Sequence, residues 1–148
     1  MKHTHKKEER RGAVICGAYG RGNAGDDAIL RAIMQEMRQL DETMPMRVIS
    51  RNPTETSRRF GVSACHTFHF KEIWQAVGKA ELFVSGGGSL IQNATSSRSL
   101  YYYLMTLLMA KLRGCKVMMY GSGIGPVYGK FHRWAAGKII DRCVDVAT

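Results

Sequence analysis

Short apolar runs alternate with helical apolar patterns along the chain, and this alternation is the feature that most restricts its fold. The apolar runs predict strands at residues 12–16, 46–50, 82–85 and 116–120, with the start of another at 144–148. The helical patterns fall at residues 26–40, 53–60, 70–77, 98–113 and 129–143. Strands that alternate with helices are typical of a parallel sheet covered on both faces. We therefore predict an α/β fold with a three-layer, Rossmann-like parallel sheet.

Apolar stripes on two of these helices indicate which side packs inward. The first helix is predicted to bury a stripe made of Ala28, Ile29, Ala32, Ile33, Met37 and Leu40. In the last helix, Phe131, Trp134, Ala135 and Ile139 are predicted to face the core. As an alternative, Tyr128, Phe131 and Trp134 form a surface that a second domain would cover, and exposed apolar surface of that kind favours self-association.

The chain carries 22 Lys and Arg against 12 Asp and Glu in 148 residues, a formal net charge of +10. Residues 1–11 hold five of these cations against two Glu, and we interpret them as a basic flexible leader before a domain at 12–148. A basic excess attracts phosphates, nucleic acid or anionic lipid. Because no aromatic-interleaved basic stripe accompanies it, nucleic acid is not an expected partner.

The four cysteines lie far apart, at Cys16, Cys65, Cys115 and Cys143. The absence of a C-x-x-C spacing excludes a zinc ribbon and argues against a disulfide scaffold, so we expect reduced thiols in a cytoplasmic protein. The richest apolar stretch, residues 100–112, is shorter than the roughly 18 residues that a membrane span needs. No apolar signal core follows the basic N-terminus.

Glycine-rich turns follow three predicted strands, where parallel sheets bind ligands. The first, residues 17–27, offers Gly20, Asn23, Gly25, Asp26 and Asp27. Two adjacent carboxylates would repel a phosphate, whereas a sugar hydroxyl needs such an acceptor. The alternative is that at least one carboxylate offsets the dipole of the following helix and that Asn23 satisfies backbone groups of the turn.

The second and third turns add backbone donors, hydroxyls, amides and a cation. Because no G-K-[ST] follows the three glycines, the second is not a Walker A loop, and it suits a polar, polyhydroxylated or anionic ligand. Its alternative is a solvated loop whose Ser and Thr cap the next helix. The candidate residues are Gly86, Gly87, Gly88, Ser89, Gln92, Asn93, Thr95, Ser96, Arg98 and Ser99 in the second turn and Gly121 and Gly123 in the third.

Two other functions remain open on the residues alone. Gly20 to Gly25 matches G-x-G-x-x-G, although it starts several residues after the predicted strand, and Arg51 stands at the tip of the next strand where a dinucleotide fold would have an acid. An Arg there suits the extra phosphate of NADP, so an NADP-binding domain is one alternative. A non-catalytic sugar- or nucleotide-binding module is the other.

Taken together, three segments resemble the polysaccharide pyruvyl transferase family, CsaB type. They are GRGNAGDDAIL at residues 20–30, SGGGSLIQ at 85–92 with TSSRSLYYY at 95–103, and YGSGIGP at 120–126. Their order and spacing agree over residues 12–147. The family usually has Asp where Asn93 stands and often Glu in place of Asp27.

The resemblance implies one half of a two-domain, glycosyltransferase-like (GT-B) architecture. It implies transfer of pyruvyl from phosphoenolpyruvate, the donor substrate, to a sugar such as N-acetylmannosamine in a lipid-linked cell-wall precursor, forming a ketal. Asp26 and Arg98 would be catalytic, the other candidates would contact substrate, and neither a cofactor nor a metal is expected. The donor-binding residues of the family lie mostly beyond this segment.

The predicted last strand runs to Thr148, and family members are roughly twice this length. We therefore expect this chain to be the N-terminal half, to need a C-terminal domain as partner, and to be inactive alone. The expected location is the cytoplasm, with peripheral contact at the inner face of the membrane as an additional partner interaction.

Overall fold

A computed structural model describes residues 10–94 and 96–148 and confirms the α/β fold class. Its strands are β1 (Ala13–Tyr19), β2 (Met46–Ser50), β3 (Ser63–His66), β4 (Leu82–Ile91), β5 (Lys116–Ile124) and β6 (Val146–Ala147). Its helices are α1 (Ala24–Leu40), α2 (Pro53–Phe60), α3 (Phe70–Lys79), α4 (Ser97–Leu112) and α5 (Lys130–Cys143). The strands pair in parallel in the order β3-β2-β1-β4-β5-β6.

Helices cover both faces of this sheet, which makes the predicted three layers. Successive side chains of a strand point to opposite faces. In β1, Ile15 joins the core under α1, while Val14 and Cys16 join the core under α3, α4 and α5. Both cores exclude solvent at their centres, since Ile15 and Phe83 have no exposed surface.

Short polar side chains start three of the helices. The side-chain oxygen of Asn23 accepts hydrogen bonds from the backbone N–H groups of Gly25 and Asp26, and Ser96 does the same for Arg98. Asn52 caps α2, where Pro53 occupies the first turn and Gly61 ends the helix at a φ of 62°. These local signals explain why the helix starts were readable from sequence.

The central strands are longer than predicted, because they continue through the glycine-rich segments. β1 extends to Tyr19, β4 to Ile91 and β5 to Ile124, so Gly86 to Gly88 lie within a strand and not in a turn. Sheet hydrogen bonding, which apolar patterning does not report, sets these strand ends. The register of β4 against β5 shifts between Gly88 and Ile91, which marks a bulge.

The prediction missed β3, residues Ser63–His66, which pairs with β2 at the edge of the sheet. Only Cys65 of its four residues is buried, so the strand has no apolar run to reveal it. Edge strands need less apolar surface than central strands, which are covered on both faces.

The predicted orientation of α5 was wrong for its two aromatic side chains. Phe131 and Trp134 are 66% and 61% exposed, while Ala135 and Ala136 are buried. Among the α5 residues that join the core shared with α4 is the small Ala136. In α1, Ala28, Ala32 and Leu40 of the predicted stripe are exposed, and Leu30 and Met34 are buried instead.

Residues 1–9 of the leader predicted at 1–11 lie outside the described residues, and only Arg10 and Arg11 are described. Arg10 donates to the backbone oxygens of Val77 and Ala80, and Arg11 donates to Oγ1 of Thr43 at 2.6 Å. Within the described ranges, no helix combines the length and the hydropathy needed to cross a membrane.

Candidate active site

A cleft of about 530 Å³ opens at the carboxyl ends of the first strands of the sheet. Arg21 follows β1, Arg51 follows β2, and Thr67 and Phe68 follow β3. The start of α4 supplies the remaining wall, made of Ser96, Arg98, Ser99, Tyr102 and Tyr103. The strand order reverses between β1 and β4, and ligands in parallel sheets bind near such a reversal, outside the carboxyl ends of the strands.

A wider groove of about 770 Å³ lies between α1 and the end of α2, beside Arg31, Arg38 and Phe60. Helix surfaces line it, and none of the residues predicted as site residues reaches it. We therefore place the candidate site in the cleft at the sheet edge.

Three guanidinium groups give the cleft its charge. Arg21, Arg51 and Arg98 line it, and no described lining residue carries a carboxylate. Among the described residues, none of the three forms an ion pair; Arg51 lies over the ring of Phe68, 4.8 Å from its centroid. Guanidinium groups bind carboxylates and phosphates in a bidentate manner, so the cleft suits an anionic ligand.

Hydroxyl groups complete the lining. The hydroxyl of Tyr102 donates to the backbone oxygen of Thr67 at 2.6 Å, which joins α4 to the end of β3. Burial raises the pKa of Tyr103 to about 12, so this hydroxyl remains protonated and can donate to a ligand. Of the predicted hydroxyl groups, Ser99 lines the cleft and Ser96 both lines it and caps α4.

Asp26 lies beside this cleft, at the N-terminus of α1. Burial raises the pKa of its carboxyl, the charge of Asp27 raises it further, and Arg21 offsets part of the increase. A Cβ placed on Gly88 would lie 3.7 Å from Oδ1 of Asp26, so this carboxylate stands at the reversal between β1 and β4. A carboxylate with a raised pKa is a better proton acceptor than an ordinary one.

Asp27 has a different environment. Its side chain is only 11% exposed, and its Oδ2 accepts a hydrogen bond from Nη1 of Arg59 at 2.7 Å. Arg59 lies in α2, so this ion pair fixes α2 against α1. This ion pair is a structural role other than the predicted one, and the offset of the helix dipole stays a prediction.

The three glycines of β4 make room for α1. A Cβ on Gly86 would overlap Ile33, and one on Gly87, where φ is +81°, would overlap Ile29. Gly88, with a φ of +68°, faces Asp26. The residues they meet in α1 are spaced by about one helical turn, so the glycines form a track on which the helix packs. These three glycines were also predicted to contact substrate, and that contact stays a prediction.

Asn93 joins two loops. Its Nδ2 donates to the backbone oxygen of Tyr128 at 2.8 Å, and its Oδ1 accepts from the backbone N–H of Tyr128 at 2.7 Å. Nearby, Oε1 of Gln92 accepts from the backbone N–H of Ala94. The structure thus places both amides in the loop after β4, and Thr95 lies outside the described residues.

The remaining predicted residues lie in or beside the turns. Gly20 follows β1 directly, so the objection that G-x-G-x-x-G begins too late was wrong. Asn23 is the cap of α1 and Gly25 lies in its first turn, next to two carboxylates where a dinucleotide pyrophosphate would approach. Ser89 is exposed on β4, Gly121 and Gly123 lie within β5, and a Cβ on Gly123 would meet Oγ of Ser89 at 3.1 Å.

Sequence reasoning missed Arg21, Thr67, Phe68, Tyr102 and Tyr103 as cleft residues. The strand β3, which positions Thr67 and Phe68, was not predicted. The available signal was position: Arg21 and Arg51 stand one or two residues beyond strand ends, where ligand-binding side chains of parallel sheets occur.

Comparison with known proteins gives a match that extends over most of the chain. The family model described as polysaccharide pyruvyl transferase matches residues 23–148, which include all but Gly20 of the predicted site residues. No curated protein and no solved structure matches the chain. The match covers α1, β4 with its glycine track and the start of α4. The chain therefore belongs to the polysaccharide pyruvyl transferase family.

Proposed function

We propose that the protein takes part in transferring the pyruvyl group of phosphoenolpyruvate to two hydroxyls of a sugar, such as N-acetylmannosamine in a lipid-linked cell-wall precursor. The observation that carries this proposal is the set of Arg21, Arg51 and Arg98 in one cleft of a chain from this family. Phosphoenolpyruvate carries a carboxylate and a phosphate, and three guanidinium groups match two anionic groups with bidentate geometry.

The reaction requires one carbon protonation and two additions of hydroxyl oxygen. The methylene carbon of phosphoenolpyruvate gains a proton and becomes a methyl group, while the first sugar hydroxyl forms a C–O bond to the neighbouring carbon. The bond from that carbon to the phosphate oxygen then breaks, and the second hydroxyl forms the other C–O bond of the ketal. The two sugar hydroxyls together lose two protons. The new C–H bond of the methyl group accounts for one of them, and the released phosphate takes up the other.

Asp26 and Arg98 take separate roles in this scheme. Asp26, whose pKa is raised mainly by burial, accepts the proton of an attacking hydroxyl. Arg98, at the start of α4, binds the anion whose charge increases as phosphate leaves. The hydroxyls of Ser99 and Tyr102 contact the sugar or the donor from the same wall. Gly20, Asn23, Gly25, Ser89, Gln92, Asn93, Thr95, Ser96, Gly121 and Gly123 form or support the acceptor side.

Binding tests the anion site without requiring turnover. Phosphoenolpyruvate, inorganic phosphate and NADP are titrated by calorimetry into the wild type and into Arg98→Gln and Arg51→Gln, with Arg58→Gln, an exposed arginine on α2, as the matched control. We expect phosphoenolpyruvate to bind the wild type, and we expect each cleft substitution to lower the affinity for phosphoenolpyruvate by about 10-fold or more. If both cleft variants bind phosphoenolpyruvate with wild-type affinity, the cleft is not the donor site. If the protein binds NADP more tightly than phosphoenolpyruvate, the result favours a dinucleotide-binding domain.

Turnover tests the transferase itself. Phosphate release is measured with phosphoenolpyruvate and an acceptor that contains N-acetylmannosamine, using these 148 residues and a longer polypeptide that also contains the further donor-binding residues implied by the family. We expect acceptor-dependent release only from the longer polypeptide. Binding of sugar or phosphoenolpyruvate with no turnover in either form would instead indicate a non-catalytic binding module.

A further inference from the structure

Helix α5 presents two large aromatic side chains to solvent. Phe131 and Trp134 are 66% and 61% exposed, and their ring centroids lie 6.1 Å apart. Ile124 at the end of β5 and Tyr128 in the loop before α5 are 61% and 63% exposed. Neighbouring exposed apolar side chains of this size mark a surface that contacts another molecule or a membrane.

Cationic side chains accompany these rings. α5 carries Lys130, Arg133, Lys138 and Arg142 against a single carboxylate, Asp141, in its last turn. Nζ of Lys138 lies 5.7 Å from the centroid of the Trp134 ring. Because Phe131, Trp134 and Lys138 are three and four residues apart, they line one exposed face of the helix. This face therefore attracts an anionic partner.

The opposite side of α5 is fixed to the fold. Ala135, Ala136 and Cys143 are buried, and the ring nitrogen Nδ1 of His132 hydrogen-bonds the hydroxyl of Tyr101 at 2.6 Å. The exposed face is thus presented by a helix that is already formed, and docking does not require folding of this segment.

We propose that this face, the α5 patch (Tyr128, Lys130, Phe131, Trp134 and Lys138), docks the protein on an anionic lipid bilayer. Trp and Tyr concentrate at the membrane–water interface, and helices that lie in this interface combine Lys and Arg with Trp and Phe. Lysine is depleted in interfaces between proteins, so the two lysines favour a lipid surface over a protein partner. The inference is independent of the proposed transferase activity.

The fluorescence of Trp134 gives a direct test. The chain has two tryptophans, and Trp74→Phe leaves Trp134 as the single reporter while keeping a ring against Arg113. With vesicles of phosphatidylcholine mixed with phosphatidylglycerol, we expect a blue shift, quenching by brominated lipid and co-sedimentation. With vesicles of phosphatidylcholine alone, we expect little blue shift, little quenching and little co-sedimentation. The binding should weaken as salt rises, because salt screens exposed charges.

Variants connect the binding to the patch. Lys130→Gln combined with Lys138→Gln should weaken partitioning roughly 25-fold, about fivefold for each cation. Phe131→Ser combined with Trp134→Ser should also reduce co-sedimentation strongly. The matched control is Arg38→Gln combined with Leu40→Ser, a cation and an exposed apolar side chain at the end of α1, which should leave binding unchanged.

Three results would overturn the proposal, given far-UV circular dichroism spectra that show folded variants. The first is no preference for anionic vesicles, and the second is full binding by the patch variants. The third is sedimentation velocity that shows self-association lost in the Phe131→Ser and Trp134→Ser variant, without lipid binding. This last outcome would assign the patch to an interface between copies of the chain.

Discussion

Nη1 of Arg59 lies 2.7 Å from Oδ2 of Asp27, so one of the two adjacent acids at the start of α1 is committed to an ion pair. No described side chain donates a hydrogen bond to its neighbour Asp26, whose pKa is raised mainly by burial. The two adjacent acids therefore serve different purposes. Asp27 fixes α2, and Asp26 remains available to a ligand.

Substitution of the two acids should separate stability from activity. Asp27→Ala removes the partner of Arg59, and because Arg59 is half-exposed and can be hydrated, we expect a loss of about 1–2 kcal/mol in the free energy of unfolding. Asp26→Ala should change stability by less than about 0.5 kcal/mol, since it relieves repulsion from Asp27. In a polypeptide that turns over, Asp26→Ala should reduce kcat about 100-fold or more.

Urea unfolding and phosphate release measure these two effects. Equal stability losses in both variants would contradict the division of roles, and wild-type turnover in Asp26→Ala would remove Asp26 from the reaction.

Gly87→Ala should disrupt the packing of α1 on β4. The added Cβ would overlap Ile29, and φ is +81°, so we expect a loss of about 3 kcal/mol in urea unfolding. Gly121→Ala is the matched control, because Gly121 also has a positive φ, +56°, but its Cβ would meet open space. It should cost only about 1 kcal/mol. If the two variants lose similar amounts of unfolding free energy, the backbone conformation alone explains the requirement for glycine at position 87, and contact with α1 does not contribute.

Asn93→Asp should weaken the connection between the loops after β4 and β5. The substituted carboxylate would still accept from the N–H of Tyr128, but it could not donate to the carbonyl oxygen of Tyr128 and would repel that oxygen. We expect a loss of about 1 kcal/mol at neutral pH, measured by thermal or urea unfolding, and about 2 kcal/mol for Asn93→Ala. A more stable Asn93→Asp variant would contradict the assigned donor role of this amide.

Asp145 should make stability depend on acid pH. The side chain of Lys111 and the N–H of Val117 bind its carboxylate and lower its pKa in the folded state. A lowered folded-state pKa gives stability that is present above the unfolded-state value and is lost as pH falls through the folded-state value. Asp145→Ala should therefore cost about 1 kcal/mol near pH 7 and less near pH 2.

Unfolding free energies of the wild type and Asp145→Ala at the two pH values test this. Asp141→Ala, which removes an exposed carboxylate without an ion pair among the described residues, is the control. A difference between Asp145→Ala and wild type that is the same at both pH values would exclude the charge as its cause.

The local signals of the sequence were sufficient for most elements. Asn23, Asn52 and Ser96 start helices through bonds to backbone N–H groups only two or three residues away, and Gly61 ends one. Such contacts involve only residues that are neighbours in the chain, and for that reason they can be predicted from the sequence. The edge strand β3 and the true ends of β1, β4 and β5 depend on partner strands that are distant in the chain.

The orientation of side chains was predicted less well than the elements. Apolar character placed Trp134 in the core, yet small alanines occupy the inner face of α5 and the ring is exposed. For the site, the motif residues Asp26, Arg98 and Ser99 lie in or beside the cleft, whereas Arg21 and the tyrosines of α4 were recognised only when the strand ends were located.

The alternation of strands and helices, the capping of the helices and the family can all be read from the amino-acid sequence, because each depends on residue type and spacing along the chain. Tertiary contacts were needed to show that Arg21, Arg51 and Arg98, separated by up to 77 positions, share one cleft, and that among the described residues Asp27 but not Asp26 is paired. The physical reason is that parallel pairing brings the carboxyl ends of strands to one edge. The charges that follow those ends then meet, whatever their separation in sequence.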